Sequence, residues 1–207
     1  MNKNLNRIEY WLKENASKIF EYSLNNPANE KEIKELESII GKELPEDFKE
    51  LYLWHNGLND QENLGNLFYG MDFFSIENII SEYIYRKENF SLENIQLKKA
   101  DKQIDTSNIY NPYWIKFAFD GAHTHLFLDL SPTQNGKYGQ IIFIDDEEEI
   151  GILVANSTAQ LVENFKNDLE NQLYYLNEDA LEDENHFLEV DDKIDIVNWY
   201  ASEVWKR

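Results

Sequence analysis

The sequence predicts a single α+β domain with a mostly antiparallel central sheet, on which N-terminal helices and a C-terminal helix pack. Three observations indicate this class. Apolar residues recur at helical spacing in residues 5–54, they alternate with polar residues within residues 113–155, and helical spacing returns after Ser157. The 207 residues include 12 Phe, 12 Tyr and 5 Trp, which suffice for a core without disulfides or metals.

Three helices are expected before the first strand. Residues 5–24 place most of their apolar side chains on one helical face. Asn29 followed three residues later by Glu32 is a variant of the capping box that begins a second helix, and Gly41 stands where a helix-ending glycine belongs. Pro45 suits the first position of a third helix.

Five strands are expected, with a helix between the first and the second. That helix begins at Ser75, whose hydroxyl can cap it, and residues 86–111 are predicted to be mostly loop. Asp120 and Gly121 are typical of a tight turn between two strands. The predicted strands are residues 67–74, 113–119, 125–130, 140–144 and 151–155. The residues predicted to be buried are Leu36, Phe48, Leu51, Trp114, Phe117 and Leu128.

The end of the chain differs in character from the rest. Ser157 can cap a long helix that reaches about Leu176. An acidic linker and a last helix near residues 192–205 are expected after it. We therefore predict a domain over residues 1–172, which includes the N-terminal helix, and an appended segment over residues 173–207, which contains the acidic linker and a C-terminal helix.

Acidic residues are concentrated in the second half of the chain. Residues 145–195 contain 17 Asp and Glu against two lysines, so they carry −15 of the formal net charge of −21. A field of this sign repels phosphates and anionic lipid headgroups, so neither nucleic acid nor a membrane surface is an expected partner. A basic protein surface is a favourable partner, although the same charge can serve only to keep a protein in solution.

The sequence contains no cysteine, which excludes disulfides, thiolate nucleophiles and zinc sites with cysteine ligands. Its first residues lead into a charged amphipathic segment and not into the apolar stretch of a signal peptide. No apolar run approaches the ~18 residues of a transmembrane helix. A cytoplasmic location is therefore expected.

The strongest candidate for enzymatic chemistry is the pair His123 and His125. Side chains two residues apart on a strand lie on the same face, so the pair could bind zinc with Asp120 or Asp129 as a third ligand. The alternative is two histidines beside a hairpin turn, solvated or hydrogen-bonded. The sequence contains no phosphate-loop, dinucleotide, zinc-protease or calcium-loop motif. We therefore expect a non-enzymatic protein with no catalytic residues, no cofactor and no metal.

Several short motifs occur in an order that resembles a known family. Residues 29–33 (Asn-Glu-Lys-Glu-Ile), 44–48 (Leu-Pro-Glu-Asp-Phe) and 55–57 (His-Asn-Gly) resemble the opening signature of the SUKH superfamily. This superfamily includes fungal Smi/Knr cell-wall-assembly regulators and bacterial toxin-immunity proteins. Later motifs agree in order and spacing, at residues 67–70, 114–115, 120–121, 129–132, 136–141 and 155–157. The resemblance spans roughly residues 5–172, and the acidic residues 173–207 are not matched.

The resemblance implies a scaffold shared by proteins that bind different partners. Its bacterial members are associated with neutralising toxins, commonly nucleases. Together with the acidic charge, this implies an immunity-type protein that blocks a cognate basic protein toxin by direct contact. The alternative is a regulatory or scaffold protein of the Smi/Knr type that binds intracellular signalling partners.

Two acidic segments form the candidate partner-binding surface. Carboxylates spaced along a surface can imitate a nucleic-acid backbone and occupy the cationic groove of a nuclease, and such charges accelerate association. The candidate residues are Asp145, Asp146, Glu147, Glu148 and Glu149 in an expected turn, and Glu182, Asp183 and Glu184 in the expected linker.

Overall fold

The first third of the chain is helical, as the apolar periodicity predicts. In the computed structural model, which describes residues 1–206, α1 spans Asn2–Asn15, a short π-helical turn spans Ile19–Ser23, α2 spans Glu30–Ile40 and α3 spans Glu46–Trp54. The predicted capping box of α2 is confirmed. Asn29 Oδ1 accepts hydrogen bonds from the N–H groups of residues 31 and 32, while the Glu32 carboxylate accepts one from Asn29 N–H at 2.8 Å.

A six-stranded sheet forms the centre of the molecule, in the order β1-β3-β4-β5-β6-β2. Its strands are β1 Asp72–Phe73, β2 Lys99–Ala100, β3 Trp114–Phe119, β4 Thr124–Asp129, β5 Gln140–Asp145 and β6 Ile150–Ala155. Every neighbouring pair is antiparallel except β6 and β2, which are parallel. The predicted class, α+β with a mostly antiparallel sheet, is therefore confirmed.

Helix α4, Ile76–Phe90, connects β1 to the loop that contains β2, and α5, Thr158–Glu170, follows β6. The C-terminal extension, residues 173–206, contains β7 Tyr174–Leu176, α6 Glu178–Glu182 and β8 Leu188–Val190. Strands β7 and β8 pair antiparallel as a separate two-stranded sheet.

The central sheet separates two clusters of buried side chains. The larger cluster lies on the face covered by α1, α2, α3 and α5 and includes Phe48, Phe117 and Leu128. The smaller cluster lies on the opposite face, where Trp114 packs with Leu97 and other residues of the long loop. The loop predicted at residues 86–111 therefore has a packing role, because its apolar side chains cover a sheet face that would otherwise be exposed. All six residues predicted to be buried are buried, namely Leu36, Phe48, Leu51, Trp114, Phe117 and Leu128.

The His-Asn-Gly motif at residues 55–57 joins three parts of the fold. Asn56 Oδ1 accepts a hydrogen bond from the N–H of Ile76, at the start of α4, and Gly57 carbonyl oxygen accepts one from Asn25 N–H at 3.0 Å. Gly57 has φ 71°, and a Cβ atom there would lie 2.3 Å from the backbone nitrogen of Ser75. The glycine is required both by the left-handed backbone and by this close approach.

Several predicted elements differ from those observed. Residues 86–90 of the predicted loop belong to α4, and the expected acidic linker contains α6. The first strand is only Asp72–Phe73, because Phe68–Gly70 form a 3₁₀ turn with Tyr69 at φ 55°. Helix α5 ends at Glu170 and not at Leu176, since Gln172 adopts φ 59° and reverses the chain into β7. Residues 192–206 form turns in place of the predicted last helix. The Asp195 carboxylate accepts a hydrogen bond from Asn198 N–H, a local bond that competes with helix formation.

Two buried asparagines attach the C-terminal extension to the rest of the fold. Asn63 exchanges two hydrogen bonds with the backbone of His186, and Asn66 exchanges two with the backbone of Leu188. Each amide side chain thus pairs with the extension as a neighbouring strand would. Ile194 and Ile196 are buried in the larger core cluster, so the extension contributes to the same core as the helices. Within residues 1–206, no helix is long and apolar enough to cross a membrane.

Candidate protein-interaction surfaces

The acidic turn, residues 145–149, joins β5 to β6. Its first residue, Asp145, is buried, and its Oδ1 accepts hydrogen bonds from the N–H groups of Glu147 at 3.1 Å and Glu148 at 2.9 Å. Trp199 Nε1 donates to the other carboxylate oxygen at 3.0 Å. Asp145 therefore holds the turn in shape and is not available to a partner.

The other carboxylates of the acidic turn are more accessible. Asp146 Oδ2 contacts His125 Nε2 at 3.1 Å, and Glu147 lies 3.5 Å from His123 Nδ1. Glu149, at φ 58°, pairs with Lys98 Nζ at 3.1 Å. Residues 146–148 are exposed, so they are the part of the turn that a partner can reach.

The second predicted acidic segment, Glu182 to Glu184, begins at the last residue of α6 and is exposed. The Lys18 ammonium donates a hydrogen bond to the backbone carbonyl of Glu184 and leaves the carboxylates facing solvent. Among residues 1–206, no hydrogen bond or ion pair joins this segment to the acidic turn. The acidic turn contacts Trp199, whereas residues 182–184 lie against the π-helical region, so the two segments are separate features.

The two histidines do not converge. His125 is buried in β4, stacks on Phe119 at a ring separation of 4.9 Å and contacts Asp146, whereas His123 lies in the turn before β4 beside Glu147. Burial lowers the pKa of His125, which favours the neutral imidazole. Within the described residues, no group of three or more His, Cys, Asp or Glu side chains is arranged to hold a metal ion.

The expected third ligands have other partners. Asp120 Oδ1 accepts hydrogen bonds from the N–H groups of Ala122 and Thr124, at 2.8 and 3.0 Å. Asp129 is fully buried and accepts from Ser131 N–H and from the Gln140 amide, both at 2.8 Å. Both aspartates thus stabilise the ends of β4.

A groove with a volume of about 1010 Å³ lies between α1 and β7. We call it the α1–β7 groove. Tyr10 and Tyr175 are exposed in it, at 67% and 47%, and Arg7 forms a 2.7 Å salt bridge with Glu170 at its wall. The other residues that line the groove are Lys3, Asn6, Trp11, Asn15, Leu169, Gln172, Tyr174 and Leu176.

One edge of β7 borders this groove. Asn177 N–H donates to Phe187 carbonyl oxygen and Asp191 N–H donates to Leu173 carbonyl oxygen, so residues 173, 175 and 177 bond to β8. Because bonding residues alternate in an antiparallel pair, the peptide groups of Tyr174 and Leu176 turn away from β8. Tyr174, Tyr175 and Leu176 line the groove, whereas no residue of β8 does.

Sequence reasoning missed this groove because it assigned residues 174–176 to a helix. Asn171 and Gln172 were the available signal, since Asn is common where a helix ends. Tyr175 is exposed, whereas Tyr174 is buried and its hydroxyl accepts a hydrogen bond from Tyr69 N–H at 3.0 Å.

The sequence of the central part of this fold matches a known family. The profile described as the SMI1 / KNR4 family (SUKH-1) matches residues 27–164, about two thirds of the chain. The chain therefore belongs to the SMI1/KNR4 family, and the predicted resemblance to the SUKH superfamily is confirmed.

Individual relatives are fungal regulators. The chain is 24% identical to "Cell wall assembly regulator SMI1" of Saccharomyces cerevisiae, over 83% of this chain and 41% of that protein. It is 25% identical to "Cell wall biosynthesis/cell cycle regulator smi1" of Schizosaccharomyces pombe, over 84% and 37%. It is 23% identical to "Glucan synthesis regulatory protein" of Neurospora crassa, over 85% and 40%. The chain thus spans about two fifths of the length of these relatives.

These names contradict the prediction of an immunity-type protein that neutralises a cognate toxin, and they support the alternative, a regulatory protein. The expected toxin partner is wrong for the same reason. Net charge describes which surfaces attract a protein and does not identify the partner, and one scaffold can serve both roles. The acidic composition therefore could not separate the two classes.

Proposed function

We propose that this chain is a non-enzymatic regulatory protein of the Smi/Knr type that acts by binding a signalling partner, with the α1–β7 groove as its main contact surface. The groove carries the proposal because it combines exposed tyrosines with an edge of β7 whose peptide groups turn away from β8. Tyr, Trp and Arg side chains dominate the energetics of protein interfaces. An exposed strand edge can also bind an extended segment through main-chain hydrogen bonds.

The names of the relatives support a regulatory role. They describe proteins that regulate cell-wall assembly and glucan synthesis, and this chain aligns with about two fifths of each. A regulator without catalysis acts by recognising other molecules, so a protein-binding surface is the feature such a role requires. The cytoplasmic location expected from the sequence is part of the same proposal.

The two acidic segments, which are separate features of the surface, are proposed as additional sites that attract the partner. The exposed carboxylates of Asp146, Glu147, Glu148, Glu182, Asp183 and Glu184 contribute to a negative field. Such a field increases the rate at which a partner with basic patches is encountered, and it adds less to the final affinity. The proposed sites omit Asp145, whose carboxylate is buried and hydrogen-bonded.

The test compares matched variants of exposed tyrosines. Partners captured by the wild-type chain from an extract of its source organism are identified, and the affinity of each is then measured with purified proteins. The double variant Tyr10→Ala/Tyr175→Ala should weaken binding of the regulatory partner at least about tenfold, as expected when interface hot spots are lost. Tyr200→Ala is the comparison variant, because Tyr200 is 60% exposed, lies outside the groove and borders the acidic turn.

The outcome also distinguishes binding at the α1–β7 groove from binding at the acidic turn. Loss of binding in the groove variant alone supports the groove as the contact surface. Loss in Tyr200→Ala alone would indicate that the partner binds at the acidic turn, which lies beside residues 197–200. Equal binding by all three proteins would contradict the proposed role of the groove.

A further inference from the structure

Arg86, in the second half of α4, is a partly buried cation whose contacts are with carbonyl groups. Its guanidinium donates hydrogen bonds to the backbone oxygens of Trp114 at 3.0 Å and Ile109 at 3.1 Å. No carboxylate oxygen in residues 1–206 lies within 4.0 Å of it. Charges removed from water are usually paired with an opposite charge. The two carbonyls fix the guanidinium in place and leave further N–H donors available.

Arg86 lines two adjoining cavities between α4, the loop at residues 108–112 and the outer face of the sheet. The inner one has a volume of about 300 Å³ and the outer one about 270 Å³. We call the outer cavity the Arg86 cleft. Its lining contains two cations and no carboxylate, although the chain carries a net charge of −21. The lining residues are Tyr83, Arg86, Lys87, Phe90, Ser91, Asn108, Tyr110 and Pro112.

The carboxylates of the inner cavity have other partners. Glu82 forms an ion pair with the Lys116 ammonium, and Asp146 contacts His125 Nε2 at 3.1 Å. The Nδ1 atom of His125 is buried without a hydrogen-bond partner. Glu82 and Asp146 act on Arg86 through their charge, but neither carboxylate contacts the guanidinium. The inner cavity thus has as many carboxylates as cations, and the uncompensated positive charge lies at the outer Arg86 cleft.

Aromatic rings provide flat apolar walls beside these cations. Phe90 and Tyr110 stack face to face at 4.5 Å with an interplanar angle of 4°. The guanidinium carbon of Arg86 lies 4.9 Å from the centre of the Phe127 ring, and Lys87 Nζ lies 5.9 Å from that of Tyr83. A cavity with apolar walls and a few converging charges is typical of a small-molecule site.

We propose that the Arg86 cleft binds a small apolar carboxylate. The carboxylate would accept charge-assisted hydrogen bonds from Arg86 and meet the charge of Lys87, and the apolar body would lie against Phe90 and Tyr110. A guanidinium and a carboxylate form the strongest such pairs, often through two parallel hydrogen bonds. The cavity volumes are at the small end of ligand sites, which favours a molecule the size of phenylacetate. This site is independent of the α1–β7 groove and of its partner.

The probe is phenylacetate, with phenylacetamide as an uncharged ligand of nearly the same shape. Two-dimensional NMR titrations of the full chain follow both ligands. Phenylacetate should give saturable shifts at residues 83–91 and 108–112 with a dissociation constant of about 1 mM, as expected for a ligand of this size. Phenylacetamide should bind at least about tenfold more weakly, because it lacks the charge.

Substitutions test the two cations. Arg86→Gln should abolish saturable binding of phenylacetate. Because Arg86 also supports the backbone at Ile109 and Trp114, Lys87→Gln provides a second variant at an exposed position and should weaken binding about two- to fivefold. Lys98→Gln, outside both cavities, should bind as the wild type does.

Three results would overturn the proposal. The first is the absence of saturable shifts with phenylacetate, and the second is equal binding of phenylacetate and phenylacetamide. The third is an unchanged affinity of Lys87→Gln for phenylacetate, if Arg86→Gln also binds phenylacetate as the wild type does or fails to fold.

Discussion

The indole Nε1 of Trp199 donates a hydrogen bond to Oδ2 of Asp145 across 3.0 Å and so joins the C-terminal extension to the acidic turn between β5 and β6. The same carboxylate accepts two backbone hydrogen bonds inside the turn. Asp145, which was predicted to be part of a charged binding surface, therefore stabilises the fold. The exposed charges of the turn are those of residues 146–148.

The first prediction concerns this carboxylate. Asp145→Ala should lower the free energy of unfolding by about 2–3 kcal/mol, because it removes a buried carboxylate that accepts three hydrogen bonds, two within the turn and one from Trp199. Glu148→Gln, at an exposed position in the same turn, should change it by no more than about 0.5 kcal/mol. Urea denaturation measures both values. Equal effects of the two substitutions would show that Asp145 has no special structural role.

The second prediction concerns the attachment of the C-terminal extension. Asn66→Ala removes the acceptor of Leu188 N–H, a hydrogen bond of 2.7 Å, and the donor to Leu188 carbonyl oxygen. The Leu188 amide should then exchange with solvent roughly tenfold or more faster, as local opening of the extension becomes easier. Asn89→Ala is the control, since Asn89 bonds only within α4. Unchanged exchange at Leu188 would mean that other contacts hold the extension.

The third prediction concerns pH. Burial raises the pKa of Asp168 to about 6, above the unfolded value of about 4. Between these values the folded chain holds a proton that the unfolded chain has released, so the Asp168 contribution to stability falls as pH rises through this window.

Asp168→Asn cannot titrate and removes this contribution. The stability of the variant relative to the wild type should therefore increase between pH 4.5 and pH 7, by about 1 kcal/mol once the partial exposure of the carboxyl is allowed for. Denaturation curves at the two pH values provide the comparison. A constant difference would show that Asp168 titrates alike in the folded and unfolded chains.

The fourth prediction concerns the acidic segments. If they steer the partner, the association rate should fall steeply between about 0.1 M and 1 M salt, as the Debye length shrinks from about 10 Å to about 3 Å. Glu147→Gln/Glu148→Gln and Glu182→Gln/Asp183→Asn should each slow association at low salt and change dissociation less. Glu30→Gln, an exposed charge on α2, is the control. Stopped-flow rates equal to wild type in both double variants would exclude steering by these segments.

Local signals predicted most of the fold. The alternation of apolar and polar residues located β3 to β6 within one residue at each end, and the Asn29–Glu32 capping box located the start of α2. These features depend on neighbours in sequence, so they are visible without a structure. The six predicted core residues follow from the same periodicity.

The remaining features depend on contacts distant in sequence. The pairing of Asn63 with His186 spans 123 residues, and no local sequence pattern predicts that the backbone of residues 186–190 pairs with residues 63–66. Likewise, Asp145 is identical in type to Asp146, and only the position of Trp199 distinguishes their roles. The α1–β7 groove is lined by residues from 3–15 and 169–176, which are distant in sequence, so local patterns could not predict it either.

The most direct test of the proposed function is site-specific photo-crosslinking. A benzophenone amino acid replaces Tyr175 in the groove in one protein, and in a control protein it replaces Leu92, which is 97% exposed and lies outside the groove. Both are irradiated with the partner identified by capture. We predict that the probe at residue 175 crosslinks to the partner, and that Tyr10→Ala reduces the yield, while the probe at residue 92 gives no crosslink. Crosslinking at residue 92 with none at residue 175 would contradict the claim that the α1–β7 groove binds the partner.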